Sequence, residues 1–181
     1  RYEVDFFIEP GVSGENAVSP ELEKIVENKK VKKILARRGM KLSLNDGAYL
    51  LILFPDRDVS GMDTNDASII AKLVYGNTSF LFTGDSPKKM EEYLVSIDKK
   101  NLDVDILKVG HHGSKTSSSE NFLKASSPDL AVISAGRKNR YGHPHREVLD
   151  RLEKFGIKIL RTDLDGDVAI KSNGITYKFV K

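Results

Sequence analysis

Two apolar runs of strand length end in small residues and then deliver side chains that can bind metal. LFTGD, over residues 81–85, presents Asp85, and DVDILKVGHHGSKTSSS, over 103–119, presents His111 and His112. A carboxylate just past a strand end, beside a glycine that lets the backbone turn, can bind or bridge hard cations through its two oxygens. Adjacent histidines in an irregular loop need not point the same way, so the pair can offer a metal ligand and a proton donor. Taken singly, GD is most often only a turn and HHG a hydrogen-bonded loop pair. The chain then adds RKNRYGHPHR over 137–146, which gathers four cations, Asn139, Tyr141, His143 and His145 in ten residues. Gly142 and Pro144 restrict this loop and hold His143 in a defined place, which makes it a catalytic candidate after His112.

These loops need a scaffold, and the hydrophobic pattern supplies one. Strands are expected over 4–8, 31–36, 41–44, 48–54, 67–75, 78–82, 104–109, 130–134 and 157–161, with a closing hairpin of 168–172 and 175–180. Asn45-Asp46-Gly47, Gly76-Asn77 and Asn173-Gly174 are turn sequences between strands. Helices are expected from Pro20, capped by Ser19, over 87–97 with Ser86 as cap, over 120–125 capped by Ser119, and over 146–155. Ser114 and Lys115 lie in the hydroxyl-rich loop ahead of the third helix. That loop can simply cap the helix, and it can also present N–H groups, hydroxyls and one cation to a phosphate. Asp163, Asp165 and Asp167 resemble a calcium loop only superficially, because Gly174 stands where such a loop needs a bidentate glutamate. Hairpins alternating with amphipathic helices suit an α/β chain with a sheet core covered by helices.

With 181 residues, 39% of them hydrophobic, the chain can bury one domain core. A net charge of +3 is too mild to indicate nucleic-acid binding by itself. The absence of cysteine excludes disulfides and thiolate zinc sites. No apolar run approaches the roughly 18 residues of a membrane span.

The succession TGD, ILKVGHHGSKTSS, AVISAGRKNRYGHPHREVLDRL and LRTDLDGDVAI resembles the C-terminal half of the metallo-β-lactamase-like domain of the ComEC/Rec2 DNA-uptake (competence) family, from about residue 65 to 170. The resemblance implies an αββα sandwich with a metal at one sheet edge. Domains of this kind carry an HxHxDH motif in their N-terminal half, whereas the four histidines here stand at 111, 112, 143 and 145. Residues 1–181 are therefore expected to form a single domain without its N-terminal metal-motif part, incomplete as an enzyme alone. Thr64, Asn65 and Asp66 occupy the place where many relatives of this fold have a further histidine, so a two-metal mechanism is not assumed. Ser134 stands where related nucleases have a ligand histidine.

The activity so implied is metal-dependent hydrolysis, with DNA phosphodiesters as the expected substrate. A divalent ion, Mn or Zn, would be held by Asp85 and His111. His112 would act as general acid, although the two histidines can exchange roles. Ser114, Lys115, Arg137, Asn139 and Arg140 would contact the phosphodiester. Expected partners are single-stranded DNA, the N-terminal half of the domain, and the membrane channel region of a parent protein, which would place a soluble domain at the outer face of a bacterial membrane; without such a parent the domain is expected in the cytoplasm. The alternatives are a standalone hydrolase of another ester or lactone, and a non-catalytic binding domain.

Overall fold

The computed structural model describes residues 3–12 and 20–180. Strand β1 (Phe6–Glu9), helix α1 (Pro20–Asn28) and strand β2 (Lys32–Leu35) come first, with β1 and β2 paired in parallel. The expected Ser19 cap of α1 lies outside the described residues. The main sheet has seven strands whose spatial order follows the chain: β3 (Lys41–Ser43), β4 (Tyr49–Phe54), β5 (Ile70–Tyr75), β6 (Thr78–Phe82), β7 (Ile106–Lys108), β8 (Leu130–Ile133) and β9 (Lys158–Arg161). Pairing is antiparallel from β3 to β6 and parallel from β6 to β9.

Parallel neighbours cannot be joined by a tight turn, so each parallel step carries a crossover helix. These are α2 (Lys88–Leu102), α3 (Glu120–Ser126) and α4 (Arg146–Lys154). Together they bury one face of the sheet: Leu53, Ile70, Leu81, Leu107 and Ile133 pack against Leu94, Leu102, Phe122, Leu123, Val148 and Leu152. On the opposite face Ala36, Ile8 and Met40 cover Ile52 and Ala71. A short helical turn, α5 (Thr162–Asp165), leads to the closing hairpin of β10 (Ala169–Ser172) and β11 (Tyr177–Val180). Val168 and Ile170 lie over Phe80, Ile106 and Val132 and leave a cleft of about 310 Å³. The molecule is thus α/β as expected, with helices on one face of a mixed sheet and the beginnings of a second β layer on the other.

Two local expectations differ from the structure, each because a distant residue intervenes. Helix α2 continues past residue 97 to Leu102, across an irregular Asp98 whose carboxylate is buried against Arg38 at 3.1 Å and Asn101 at 2.6 Å. Ser86 does not cap α2. Its hydroxyl is buried without a hydrogen-bond partner among the described residues, Pro87 takes the cap position, and Lys88 N–H instead donates to the Thr116 carbonyl at 2.7 Å. The turn at Asp165-Gly166 closes a single helical turn in which the Asp165 carboxylate accepts from Arg161 N–H at 2.7 Å and Asp163 pairs with the Arg161 guanidinium at 2.6 Å. Both carboxylates are spent within their own loop. Ser119 caps α3 as expected, its hydroxyl accepting from Phe122 N–H at 3.3 Å.

Candidate functional site

The C-terminal ends of β6, β7 and β8 lie side by side, so the segments that follow them share one edge of the sheet, where open α/β sheets bind ligands. After β6 the chain turns through Gly84 at φ 55°, where a Cβ would come within 2.9 Å of the Ser68 side chain. Glycine is required there both by conformation and by space. The turn aims Asp85 outward, with its N–H held by the Ser68 hydroxyl at 3.1 Å, while the Gly84 carbonyl accepts from His111 N–H at 3.0 Å. The Asp85 and histidine loops are therefore hydrogen-bonded to each other.

After β7 the segment Gly110–Gly113 makes a tight turn in which His111 and His112 both adopt left-handed backbone angles, at φ 47° and 55°. Such angles cost about 1–3 kcal/mol for residues other than glycine and persist only where surroundings enforce them. Here His145 N–H bonds to the Gly113 carbonyl at 2.9 Å, and Gly113 lies so close to Pro144 that a Cβ would sit 2.6 Å from it. The histidine pair is clamped between the loops after β6 and β8.

His112 Nδ1 lies 2.7 Å from the Ser134 carbonyl. A carbonyl oxygen only accepts, so Nδ1 carries the proton and Nε2 is the working atom of the neutral ring. That Nε2 faces Asp85 Oδ1 at 3.8 Å, and both side chains remain nearly half exposed, at 49% and 42%. His111 sets its ring edge-on to His143 at 5.9 Å, and its Nδ1 lies 3.4 Å from the Thr116 hydroxyl. His143 stacks on Tyr141 with ring centres 5.7 Å apart and 24° between planes, and meets His145 at 4.8 Å. Burial, followed by the neighbouring imidazoles of His145, His111 and His112, pushes His143 below the usual histidine range, favouring its neutral form. Between Tyr141, His143, Gly136 and His112 opens a cleft of about 270 Å³. On the other side of His111 a second cleft of about 310 Å³ is lined by Asp63, Thr64, Asn65, Asp66 and Thr116.

The expected substrate contacts divide differently. Ser114 is only 6% exposed and its hydroxyl pairs with Thr116 at 3.0 Å, which makes it part of the loop's frame. Asn139 is a brace: its Oδ1 accepts from His143 N–H at 2.8 Å while its Nδ2 donates to the His143 carbonyl at 2.7 Å and to the Gly136 carbonyl at 2.9 Å. Lys115 is exposed, and its N–H donates to His145 Nδ1 at 3.2 Å. Arg140 reaches the Tyr141 hydroxyl at 2.7 Å, and Arg137 Nε lies 3.4 Å from the Asp163 carbonyl. Ser134 contributes its carbonyl rather than its side chain. Asp66 pairs with Lys89. Asp85 and His112 approach each other, but no three His, Cys, Asp or Glu side chains form a metal-holding group among the described residues.

Sequence reasoning did not assign Glu91, which holds the histidine segment from behind. Its carboxylate is 1% exposed and accepts from Ser118 N–H and Ser119 N–H, each at 2.7 Å. Arg151 completes the frame by donating to the Ser117 and Ser118 carbonyls at 2.9 and 2.8 Å, and Ser117 Oγ donates to the Gly110 carbonyl at 2.9 Å. Burial raises the Glu91 carboxyl from 4.5 to about 7, against the two backbone donors that favour its charged form. A carboxyl whose value is raised by folding favours the folded state below its unfolded value, and this contribution is lost as pH rises through the folded value. Unfolding free energy is therefore expected to fall by up to about 3 kcal/mol between about pH 4.5 and 7. Denaturant titrations across that range should show the slope, and Glu91→Gln should remove this part of it.

Against known proteins, no family model matches the chain. It is 38% identical over 132 residues to ComE operon protein 3 of Bacillus subtilis, a match covering 73% of this chain and 17% of that protein. It is 45% identical over 121 residues to competence protein ComA of Neisseria gonorrhoeae, covering 67% and 17%. Recombination protein 2 of Haemophilus influenzae is 38% identical over 124 residues, covering 68% and 15%. The chain thus spans 17% or less of the length of these relatives. Among solved structures, CmlA, a diiron β-hydroxylase from Streptomyces venezuelae, superposes over 83% of this chain and 37% of that one, with a TM-score of 0.53 and 14% identity. A metallo-β-lactamase superfamily structure from Thermotoga maritima covers 87% of this chain and 80% of its own, with a TM-score of 0.42 and 14% identity.

Proposed function

Since the chain belongs to the ComEC/Rec2 family of competence proteins, we propose that it forms part of a metal-dependent nuclease that hydrolyses DNA phosphodiesters during DNA uptake. The convergence of Asp85 and His112, at 3.8 Å on the shared strand-end edge, is the observation on which this rests. A divalent ion held by these two and by donors outside the described residues would supply a bound water of lowered pKa. In the resemblance those donors belong to an HxHxDH segment.

The chain's own groups have separable tasks. Asp85 supplies an anionic oxygen donor, and Gly84 and Ser68 fix its direction. His112, anchored through Nδ1, offers Nε2 either as a ligand or, when that nitrogen is protonated, as the acid for the leaving oxygen. His111 is adjacent in the same turn, with its ring edge-on to His143, and is the candidate for a further ligand should the loop shift on ion binding. Neutral His143 can take or relay a proton across the cleft mouth. Lys115, Arg137 and Arg140 bring positive charge to the rim, where a phosphodiester backbone would lie.

A binding-only domain is the second reading, favoured by the two-donor set of the described residues. The test is digestion of end-labelled DNA by the protein as its gene encodes it, with and without Mn²⁺. Cleavage that requires the ion is expected. Binding without cleavage under any divalent ion would replace the nuclease reading with the second one.

A further inference from the structure

We propose that the Arg140–Tyr141–His143 stack is a seat for an unpaired nucleobase, which holds a single strand of DNA across the mouth of the cleft beside His112. The inference deepens the nuclease reading and rests on it. Tyr141 is 61% exposed, the most open aromatic ring among the described residues, and lies against two partners. One such partner is the His143 ring, 24° from parallel, and another is the Arg140 guanidinium, 4.9 Å from the Tyr141 ring centre. Aromatic rings and guanidinium planes are the surfaces on which unpaired bases stack, largely without regard to sequence.

The platform is braced rather than free. Asn139 grips His143 on both its N–H and its carbonyl, at 2.8 and 2.7 Å, so the backbone that carries the ring beneath Tyr141 is held in place. The stack also sits where a base would be useful. Tyr141 and His143 form one wall of the 270 Å³ cleft whose other side is His112, so a nucleotide parked on the stack brings its phosphate toward the Asp85–His112 edge. Arg137 and Lys138 on the same loop suit the flanking phosphates. A paired base has both faces covered by its neighbours in the duplex and cannot use the seat without unstacking.

The test uses the gene-encoded protein and an oligonucleotide carrying one 2-aminopurine, whose fluorescence falls on stacking. It is offered as a single strand, as the same strand with an abasic residue at that position, and as a duplex. Quenching on binding is expected with the single strand. Tyr141→Ala should abolish the quench and weaken single-strand binding by roughly 10- to 100-fold, with abasic-strand and duplex binding unchanged, and Tyr141→Phe should retain both. If Tyr141→Ala binds the base-bearing strand as well as the unsubstituted protein does, while that protein still cleaves DNA, the stack is overturned and the nuclease reading stands. If the unsubstituted protein binds no DNA, both fall. The exposed position of Tyr141 keeps the variant folded, as an unchanged thermal melt would verify.

Discussion

Replacing Asp85 by asparagine is expected to lower Mn²⁺-dependent DNA cleavage by at least about a hundredfold. Removing a residue that merely orients a metal ligand costs roughly 10- to 100-fold, and removing a charged ligand itself costs no less. Asparagine keeps the size of the side chain and the N–H bond to the Ser68 hydroxyl, and the Asp85 side chain is nearly half exposed. The fold therefore has no reason to suffer. Cleavage rate as a function of Mn²⁺ concentration is the measurement. Loss of activity with an unchanged melt places Asp85 at the ion, and activity equal to that of the unsubstituted protein would remove it from the site.

The second large effect concerns His112. Truncation to alanine should slow DNA cleavage by about 10²- to 10⁴-fold if Nε2 is the proton donor. The substrate separates this role from metal binding. A nitrophenyl phosphodiester departs as a stabilised anion and needs little protonation, so an enzyme lacking only its acid should recover much of its rate on that ester. If His112 is instead a ligand, both substrates lose activity together and bound metal falls. The Nδ1 contact with the Ser134 carbonyl is compatible with either outcome, since it fixes the ring and leaves Nε2 facing Asp85.

Much of this arrangement was legible in the sequence because it is local. Apolar runs ending in Gly84-Asp85 and Gly110-His111-His112 do become adjacent strand ends, and Ser119 does cap its helix. What could not be read depends on partners far along the chain. Nothing near His111 and His112 announces two left-handed residues, because the angles are enforced by Pro144 and His145 from the next loop. Asn139 looked like a substrate contact because of its exposed basic neighbours, yet its amide is consumed by the loop it sits in. Glu91 reads as one more charge on an amphipathic helix. Only the packing of α2 under the serine loop, 27 residues away, makes it a buried acceptor.

The agreement between chain order and spatial order in the seven-stranded sheet has a consequence for assembly. Every strand from β4 to β9 docks against the one synthesised just before it, so the sheet can lengthen strand by strand as the polypeptide emerges from the ribosome. Asp85 is set when β6 joins, the histidine turn when β7 joins, and the clamp of His145 and Pro144 arrives last, after β8. The strained pair is thus locked by residues translated some thirty positions later, and an emerging chain carries its candidate site unfinished until the sheet beneath it is nearly complete.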